Sequence, residues 1–200
     1  ATIDRFAYER SFLINVGDEK GRILDTAVRR AQTTLALELG TYCGYSALRI
    51  ARAAPTATVV SVEFAAANAA NARRIWEHAG VGDRVHCVVG TIGDGGTTLD
   101  SLTAEHGISE GSVDFLFIDH DKAVYLADLL SIVARGWLHP GSIVLADNMG
   151  LPGSPKYLAH MREQQGRQWH TDEHRTHVEY QTMAPDLMLE SEFLAQAATV

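Results

Sequence analysis

Two apolar runs that end in acidic residues constrain the fold of this chain more than any other feature. The run FLFIDHDK ends in Asp119, with Lys122 three residues later, and the run IVLADN ends in Asp147 and Asn148. Each run is short and rich in β-branched or aromatic residues, which is typical of a buried strand in a parallel sheet. Ligands of open α/β sheets bind beyond the carboxyl ends of the strands. If the two strands are neighbours, these oxygen-bearing side chains predict a site that suits Mg²⁺ better than zinc.

The rest of the chain alternates predicted strands and helices. Strands are predicted at 33–40, 58–64, 84–90, 112–119 and 142–148. Helices are predicted at about 46–53, 97–106, 123–135 and 155–165, and an alanine-rich helix follows the second strand and ends at about residue 78. This order indicates βαβ units and therefore a doubly wound, Rossmann-like α/β sheet that is mostly parallel. From Trp169 to about Phe193 we predict two strands with a turn at Ala184–Asp186, which would add an antiparallel hairpin at the edge. Residues 1–32 are predicted to form a helical cap over the strand ends.

Length and composition narrow the class of protein. A chain of 200 residues predicts a single domain over 1–200. The net charge of -8 and the lack of a basic stripe argue against a nucleic-acid partner. Cys43 and Cys87 are not in a C-x-x-C pair, which favours a reduced, cytoplasmic protein. No apolar run approaches the length of a membrane span, so we expect no membrane partner.

A glycine turn after the first predicted strand indicates a nucleoside site. Gly40 and Gly44 bracket the turn, where backbone N–H groups can approach a ligand at a helix start. The spacing is not G-x-G-x-x-G, which weakens a dinucleotide interpretation. Glu63 ends the second predicted strand, at about the offset of a ribose-binding acid, which favours nucleoside binding over the alternative of a solvated strand-end acid. A glycine turn without a phosphate loop fits S-adenosylmethionine, and Glu38 would either offset its sulfonium charge or be a buried acid bonded to backbone amides.

Several motifs in order along the chain resemble one known family. The chain is similar to the catechol O-methyltransferases, within the class I metal- and S-adenosylmethionine-dependent O-methyltransferases. The resemblance covers about residues 15–180. The matching segments are NVGDEKG (15–21), LELGTYCGYSALRIAR (37–52), VVSVEF (59–64), AGVGDRV (79–85), IDHDKAVYL (118–126), LADNMGLPGSP (145–155), YLAHMR (157–162) and VEY (178–180).

The resemblance implies roles for individual residues. It implies one Mg²⁺ held by Asp119, Asp147 and Asn148, with other divalent ions as alternatives. It makes Lys122 the general base and gives Glu179 the second hydroxyl of the catechol. The residues that it assigns to the S-adenosylmethionine site are Val16, Glu38, Gly40, Tyr42, Ser46, Glu63, Phe64, Ile92, Asp119 and His120.

The acceptor slot departs from the pattern of the animal catechol enzymes. Asp121 stands where they carry a tryptophan, Phe12 replaces a second wall tryptophan, and Ile14 replaces a methionine, while Pro152 keeps its place. The resemblance completes the slot with Lys122, Asn148 and Glu179. We therefore expect a slot that is aromatic on one side and more open and acidic on the other.

The leading hypothesis is Mg²⁺-dependent methylation of one hydroxyl of a small catechol or polyphenol. The products would be the mono-O-methyl ether and S-adenosylhomocysteine, and the enzyme would be a monomer or homodimer. One alternative is a related O-methyltransferase whose acceptor is a caffeoyl-CoA-like phenylpropanoid or a hydroxylated tRNA base. Another is a non-catalytic nucleotide-binding module, which Lys122 and the metal triad argue against. His170, His174 and His177 also suggest zinc, but they would not share one strand face.

Overall fold

A computed structural model describes residues 2–195 of the chain. Its helices and strands alternate through most of the sequence. In chain order they are α1 (Thr2–Glu9), α2 (Gly17–Arg30), β1 (Leu35–Leu39), α3 (Tyr45–Ala53), β2 (Thr58–Glu63), α4 (Ala66–His78), β3 (Val85–Val89), α5 (Thr97–His106), β4 (Val113–Ile118), α6 (Tyr125–Ala134), β5 (Leu138–Ala146), a turn at Met149–Gly153, α7 (Pro155–Glu163), β6 (Trp169–His177) and β7 (Pro185–Phe193).

The strands form one seven-stranded sheet, in the order β3-β2-β1-β4-β5-β7-β6. The first five strands along the chain pair in parallel, and β7 pairs antiparallel with both β5 and β6. The mostly parallel α/β sheet with an antiparallel edge is therefore confirmed. The strand order reverses between β1 and β4, and such a reversal opens a crevice at the carboxyl ends of the two strands.

Both faces of the sheet are buried, which explains the continuous apolar runs in the sequence. On β4, Phe115 and Phe117 pack into the core on one face, whereas Leu116 and Ile118 pack into the core on the other. Successive side chains of a strand point to opposite faces, so a strand covered on both faces must be apolar throughout. β4 thus lies in the middle of the molecule, and its carboxyl end is held by neighbours on both sides.

The hairpin differs from the sequence prediction in the position of its turn. The predicted turn at Ala184–Asp186 is wrong, because Pro185 and Asp186 already belong to β7 and the connection lies at 178–184. Asp186 is buried in the sheet and pairs with Thr176 of β6. The fifth strand also begins earlier than predicted, at Leu138, and α6 begins later, at Tyr125.

The N-terminal residues form two separate helices, α1 and α2. α2 packs against α3 and contacts β5 and β6, which places it beside the antiparallel half of the sheet. Within residues 2–195, no helix has the length and apolar character needed to cross a membrane.

Gly44 is the tightest glycine turn in the fold outside the strand ends. Its φ is +77°, and a Cβ there would lie 2.5 Å from Nε1 of Trp76, which already donates to the Gly44 carbonyl oxygen. Gly80 has a similar φ of +71° but open space around its Cα. We expect Gly80→Ala to lose about 1–2 kcal/mol of unfolding free energy from backbone strain alone. Gly44→Ala should lose about 1–3 kcal/mol more from overpacking.

Urea denaturation of the two variants would measure this difference. Because both glycines have nearly the same φ, Gly80→Ala is the matched control for backbone strain. Equal losses of unfolding free energy in the two variants would contradict the crowding at Gly44.

Candidate active site

The carboxyl ends of β1, β4 and β5 are joined by backbone hydrogen bonds. The Asp119 N–H donates to the Leu39 carbonyl oxygen at 2.8 Å, and the Asp147 N–H donates to the Ile118 carbonyl oxygen at 3.0 Å. Ile118 and Ala146 are paired in register, so the acids that follow them leave the sheet side by side. The two strands that the sequence analysis singled out are therefore neighbours.

Gly40 allows this close approach. Its φ is +97°, and a Cβ at this position would lie 2.2 Å from the Asp119 carbonyl oxygen. Any side chain would push the end of β1 away from the end of β4. The glycine thus lets the predicted cofactor turn and the predicted metal ligand share one edge of the sheet.

The two aspartates at the strand ends have different partners. Asp119 Oδ1 accepts a hydrogen bond from Lys122 Nζ at 2.9 Å. Asp147 Oδ1 accepts from its neighbour's backbone N–H, at 2.7 Å, and forms an ion pair with Lys20 Nζ at 2.8 Å. Burial raises the pKa of both carboxyls above the usual range, opposed at Asp119 by Lys122 and at Asp147 by Lys20. A cation bound in addition to these two lysines would therefore stabilise the ionised forms of both aspartates.

Asn148 and Glu179 are brought together although 31 residues separate them in the chain. The Asn148 side-chain amide donates to Glu179 Oε1 at 2.9 Å and to Asp186 Oδ2 at 3.1 Å. Both amide hydrogens are thereby used, so the Asn148 carbonyl oxygen is the atom left for a metal. Both described bonds to Glu179 end on Oε1, which leaves Oε2 for a ligand.

Lys20 and Asp186 are site residues that the sequence analysis missed. Lys20 is 1% exposed and contacts the carboxylates of Asp147, Glu179 and Asp186. Burial opposes the charged form, but the carboxylates outweigh it and raise the pKa of Lys20. The sequence does contain a sign that Lys20 is buried, because its spacing of four residues from Val16 and from Leu24 places it on the buried face of α2. Asp186 had no such sign, because the sequence predicted it to lie in the hairpin turn.

The residues present fit a divalent cation. Asp147 Oδ2 is buried and has no hydrogen-bond partner, which is costly for a carboxylate unless a ligand satisfies it. Asp119, Asp147 and the Asn148 carbonyl offer hard oxygen donors of the kind that Mg²⁺ prefers. Among residues 2–195, Asp147, Glu179 and Asp186 also form an acidic group close enough to hold an ion. The Lys20 ammonium already contacts all three of these acids.

Glu63 organises the glycine turn on the other side of the cavity. Its Oε2 accepts from the backbone N–H groups of Thr41 and Tyr42, at 3.1 and 2.9 Å. Its Oε1 accepts from the backbone N–H of Ala65 at 2.9 Å and from Asn68 at 3.4 Å. The interpretation of Glu63 as merely a solvated acid is wrong, because it is buried and bonded on both oxygens.

Glu38 lies beneath the cavity rather than on its wall. It is fully buried and accepts a hydrogen bond from the Ser61 hydroxyl, while its Oε1 has no partner. Burial raises the pKa of Glu38 to about 8, against the hydrogen bonds of Ser46 and Ser61. The prediction that backbone amides donate to Glu38 is wrong, because its donors are side-chain hydroxyl groups. Glu38 supports the turn from below.

His120 is held in a fixed orientation. It stacks on Tyr125, with ring centroids 5.1 Å apart, and its Nε2 lies 2.8 Å from Asp128 Oδ2. Its Nδ1 is buried without a hydrogen-bond partner. The ring therefore forms a part of the cavity wall that is held in place from two sides.

One cavity of about 950 Å³ joins these groups. The predicted site residues on its wall are Phe12, Ile14, Val16, Gly40, Tyr42, Ser46, Glu63, Phe64, Ile92, Asp119, His120, Asp121, Lys122, Asn148, Pro152 and Glu179. Glu38 and Asp147 are both fully buried and are not on this wall. At the rim, Phe12 and Ile14 are each 61% exposed and Phe64 is 76% exposed. The cavity is thus open on its apolar side.

The three histidines of the hairpin do not meet. His174 pairs with Glu190 at 2.7 Å and His177 with Glu19 at 3.2 Å, while His170 lies 4.0 Å from Asp172. Each histidine has a separate acidic neighbour, and this arrangement does not support the zinc hypothesis.

Comparison with known proteins identifies the family. Residues 4–162 match the family model described as O-methyltransferase. The chain belongs to the O-methyltransferase family. It is 72% identical over 194 residues to the probable O-methyltransferase Rv1703c of Mycobacterium tuberculosis, covering 97% of this chain and 83% of that protein. It is 39% identical to catechol O-methyltransferase B of Danio rerio, covering 97% of this chain and 71% of that one.

Solved structures confirm the fold of this O-methyltransferase. Cofactor-bound Rv0187 from MTB superposes with a TM-score of 0.74 at 26% identity, over 96% of this chain and 87% of that one. The O-methyltransferase from Bacillus cereus in complex with SAH has a TM-score of 0.72 at 20% identity, over 96% and 97% of the two chains. The latter likeness is one of fold alone.

The role of Glu63 in the glycine turn leads to a prediction about local stability. In Glu63→Ala the Thr41 and Tyr42 amides lose their acceptor. We expect their protection from hydrogen exchange to fall about 10-fold or more, equivalent to about 1.4 kcal/mol of local opening free energy. The matched control is Glu77→Ala, an exposed acid on α4. Unchanged protection at both amides in Glu63→Ala would contradict this role.

Proposed function

We propose that this O-methyltransferase transfers a methyl group from S-adenosylmethionine to one hydroxyl of a small catechol, with Mg²⁺ as the metal. The observation that carries the proposal is the convergence of Asp119, Lys122, Asn148 and Glu179 at one end of the cavity that Glu63 and the glycine turn border at the other. One end offers ligands for a metal, a general base and a carboxylate that can accept a hydrogen bond from a substrate hydroxyl. The other end offers a nucleoside site. The products would be the mono-O-methyl ether and S-adenosylhomocysteine.

The cofactor end has the groups that a nucleoside without phosphates requires. The 3.4 Å bond from Asn68 is the longest of the four that Glu63 accepts, so a ribose hydroxyl can take its place while the backbone bonds still hold the turn. Gly40 leaves space for a close approach of the ligand to the backbone. Relatives of the same fold were solved with SAM or SAH, as in the Streptomyces achromogenes O-methyltransferase TomG and the Bacillus cereus enzyme. S-adenosylmethionine supplies an electrophilic methyl group on a positively charged sulfur.

The acceptor end has groups for the proton and for both oxygens of a catechol. A divalent cation held by Asp119, Asp147 and Asn148 would stabilise the developing phenolate. Lys122, in its neutral form, takes the proton of the attacking hydroxyl. Glu179 Oε2 accepts a hydrogen bond from the second hydroxyl and thereby selects which oxygen faces the methyl group. Holding both reactants in one cavity lowers the entropic cost of the in-line displacement.

The position of Lys122 is well defined. Its Nζ is bonded to Asp119 Oδ1 and lies 4.9 Å from the centroid of the Tyr125 ring, and its backbone carbonyl accepts from the Ser154 hydroxyl at 2.8 Å. These contacts hold the amine beside a proposed metal ligand. A general base needs this proximity to the hydroxyl that it deprotonates.

Catechol as the acceptor class is supported by the relatives and by the open slot. Relatives at 37–41% identity are named catechol O-methyltransferase. Exposed Phe12 and Ile14 give the cavity an apolar lining, and exposed Asp121, bonded through Oδ1 to the Ala123 N–H at 3.0 Å, gives it an acidic one. This slot would admit catechols with substituents that extend out of the cavity.

The reaction can be tested directly with purified protein. S-adenosylmethionine and 3,4-dihydroxybenzoic acid would be incubated with the protein in Mg²⁺ or in EDTA, and the products followed by mass spectrometry. We expect a mono-methylated acid in Mg²⁺ and little or none in EDTA. Equal product in both conditions would refute the metal dependence. No product, together with tight binding of S-adenosylhomocysteine, would refute a simple catechol acceptor.

The role of Lys122 can be tested by removing its amine. In Lys122→Met we expect kcat to fall by at least about 100-fold, because general-base catalysis typically contributes that much. The affinity for S-adenosylhomocysteine in calorimetry should stay within about 2-fold, since the lysine lies at the acceptor end. The matched control is Lys156→Met, an exposed lysine on α7. A kcat equal to that of Lys156→Met would refute the assignment.

A further inference from the structure

α2 carries a charged side chain into the interior of the protein. Lys20 is 1% exposed, on the helix face that also buries Leu24 and Val28. An ammonium group taken out of water costs several kcal/mol unless it is fully paired. Among the buried residues of α2, Lys20 and Asp25 are the charged ones, and a buried lysine calls for a physical reason beyond packing.

The ammonium group of Lys20 is completely paired. Its Nζ lies 2.8 Å from Asp147 Oδ1, 2.7 Å from Glu179 Oε1 and 2.6 Å from Asp186 Oδ2. Nζ donates hydrogen bonds to Glu179 and Asp186 and forms an ion pair with Asp147, so the three-donor ammonium meets three carboxylates. The acids come from the end of β5, from the β6–β7 connection and from β7. Lys20 therefore ties α2 and these three segments at a single point.

Two of these three acids belong to the proposed acceptor site. Lys20 contacts Asp147 through Oδ1, while the unpartnered Oδ2 is the oxygen left for the metal. It contacts Glu179 through Oε1, while Oε2 is left for the acceptor hydroxyl. Each carboxylate thus has one oxygen anchored to Lys20 and one available to a ligand.

Asp186 links the same point to the slot wall. Its Oδ2 accepts from Lys20 and Asn148, and its Oδ1 accepts from the backbone N–H groups of Gly150 and Leu151, at 3.0 and 2.9 Å. The turn that carries Pro152 is therefore held by the carboxylate that holds Lys20. Asp147, Glu179 and Asp186 are also close enough together to bind an ion, and the ammonium group occupies the place between them.

We infer that Lys20 is a positioning residue of the acceptor site, which orients Asp147 and Glu179 and takes the place of a second cation in the acidic group that they form with Asp186. The inference rests on the proposed function. The fixed ammonium offsets the negative charge of the three carboxylates, while the outer oxygens remain free for one divalent ion and one acceptor. A flexible chain with three donors suits three carboxylates better than the planar fork of an arginine.

Lys20→Met tests this inference, because methionine keeps the unbranched stem of the side chain and removes its charged end. Metal binding would be measured with Mn²⁺ by electron paramagnetic resonance, in the absence of acceptor. We expect the stoichiometry to rise from one ion per chain to two, since three neighbouring acids without their ammonium group would then recruit an ion of their own. A stoichiometry that stays at one would overturn the role as a second cation.

Steady-state kinetics test the positioning role separately. In Lys20→Met, the KM for catechol should rise by about 10-fold or more, because Asp147 and Glu179 lose the contact that orients them. The KM for S-adenosylmethionine should stay within about 2-fold, because both carboxylates belong to the acceptor end. A catechol KM equal to that of the exposed-lysine control Lys156→Met would overturn the positioning role. A merely structural lysine would change both KM values or neither.

A second variant covers the case in which Lys20→Met does not fold. Asp186→Asn is nearly isosteric and keeps an oxygen for the Gly150 and Leu151 amides, but it weakens the contact with Lys20. We expect a smaller rise in catechol KM, of about 3- to 10-fold, in the same direction. An unchanged catechol KM in this variant would also overturn the inference.

The wild-type measurements separate this inference from the proposed function. A wild-type protein that binds no Mn²⁺ and methylates no catechol refutes the proposed function, and the inference falls with it. A wild-type protein that does both, beside variants with unchanged stoichiometry and catechol KM, refutes the role of Lys20 alone.

Discussion

The parallel pairing of β4 between β1 and β5 is the interaction on which the rest of the site depends. Two backbone hydrogen bonds, from Asp119 to Leu39 and from Asp147 to Ile118, continue the pairing just past the strands. They bring the glycine turn, Asp119 and Asp147 to one edge of the sheet. Because β4 is buried on both faces, this edge is supported by the whole core and can hold charged groups with little freedom to move.

The concentration of acids at this edge would be unfavourable without internal compensation. Asp147, Glu179 and Asp186 are buried or nearly so, and each contacts the Lys20 ammonium. Asn148 adds two amide donors to the same group. Charge pairing of this kind costs desolvation, but removing one partner costs more, so the cluster behaves as a unit. The antiparallel hairpin contributes Glu179 and Asp186, and it is therefore part of the site as well as the edge of the sheet.

The glycine-turn side of the cavity is stabilised differently, because one carboxylate there holds several backbone N–H groups. Glu63 binds the amides of Thr41 and Tyr42 with one oxygen and that of Ala65 with the other. The turn after β1 is thus shaped before any ligand is bound, which reduces the entropy lost on binding. On the same cavity wall, His120 is held in a fixed orientation by Asp128 and Tyr125.

The sequence alone determined the α/β alternation and the two acidic strand ends, and the family resemblance named most of the residues on the cavity wall, whereas the pairing of β4 with β5 came from the structure. Apolar runs that end in Asp119 and Asp147 predict buried parallel strands, and parallel strands place their carboxyl ends at one edge. The sequence did not show that Glu38 lies beneath the wall, that Asp186 is inside a strand, or that Lys20 reaches the acids. Those facts depend on contacts such as Lys20 to Asp186, 166 positions apart in the chain. Only the tertiary structure decides such contacts, because local patterns report which face of an element is buried but not which charges meet there.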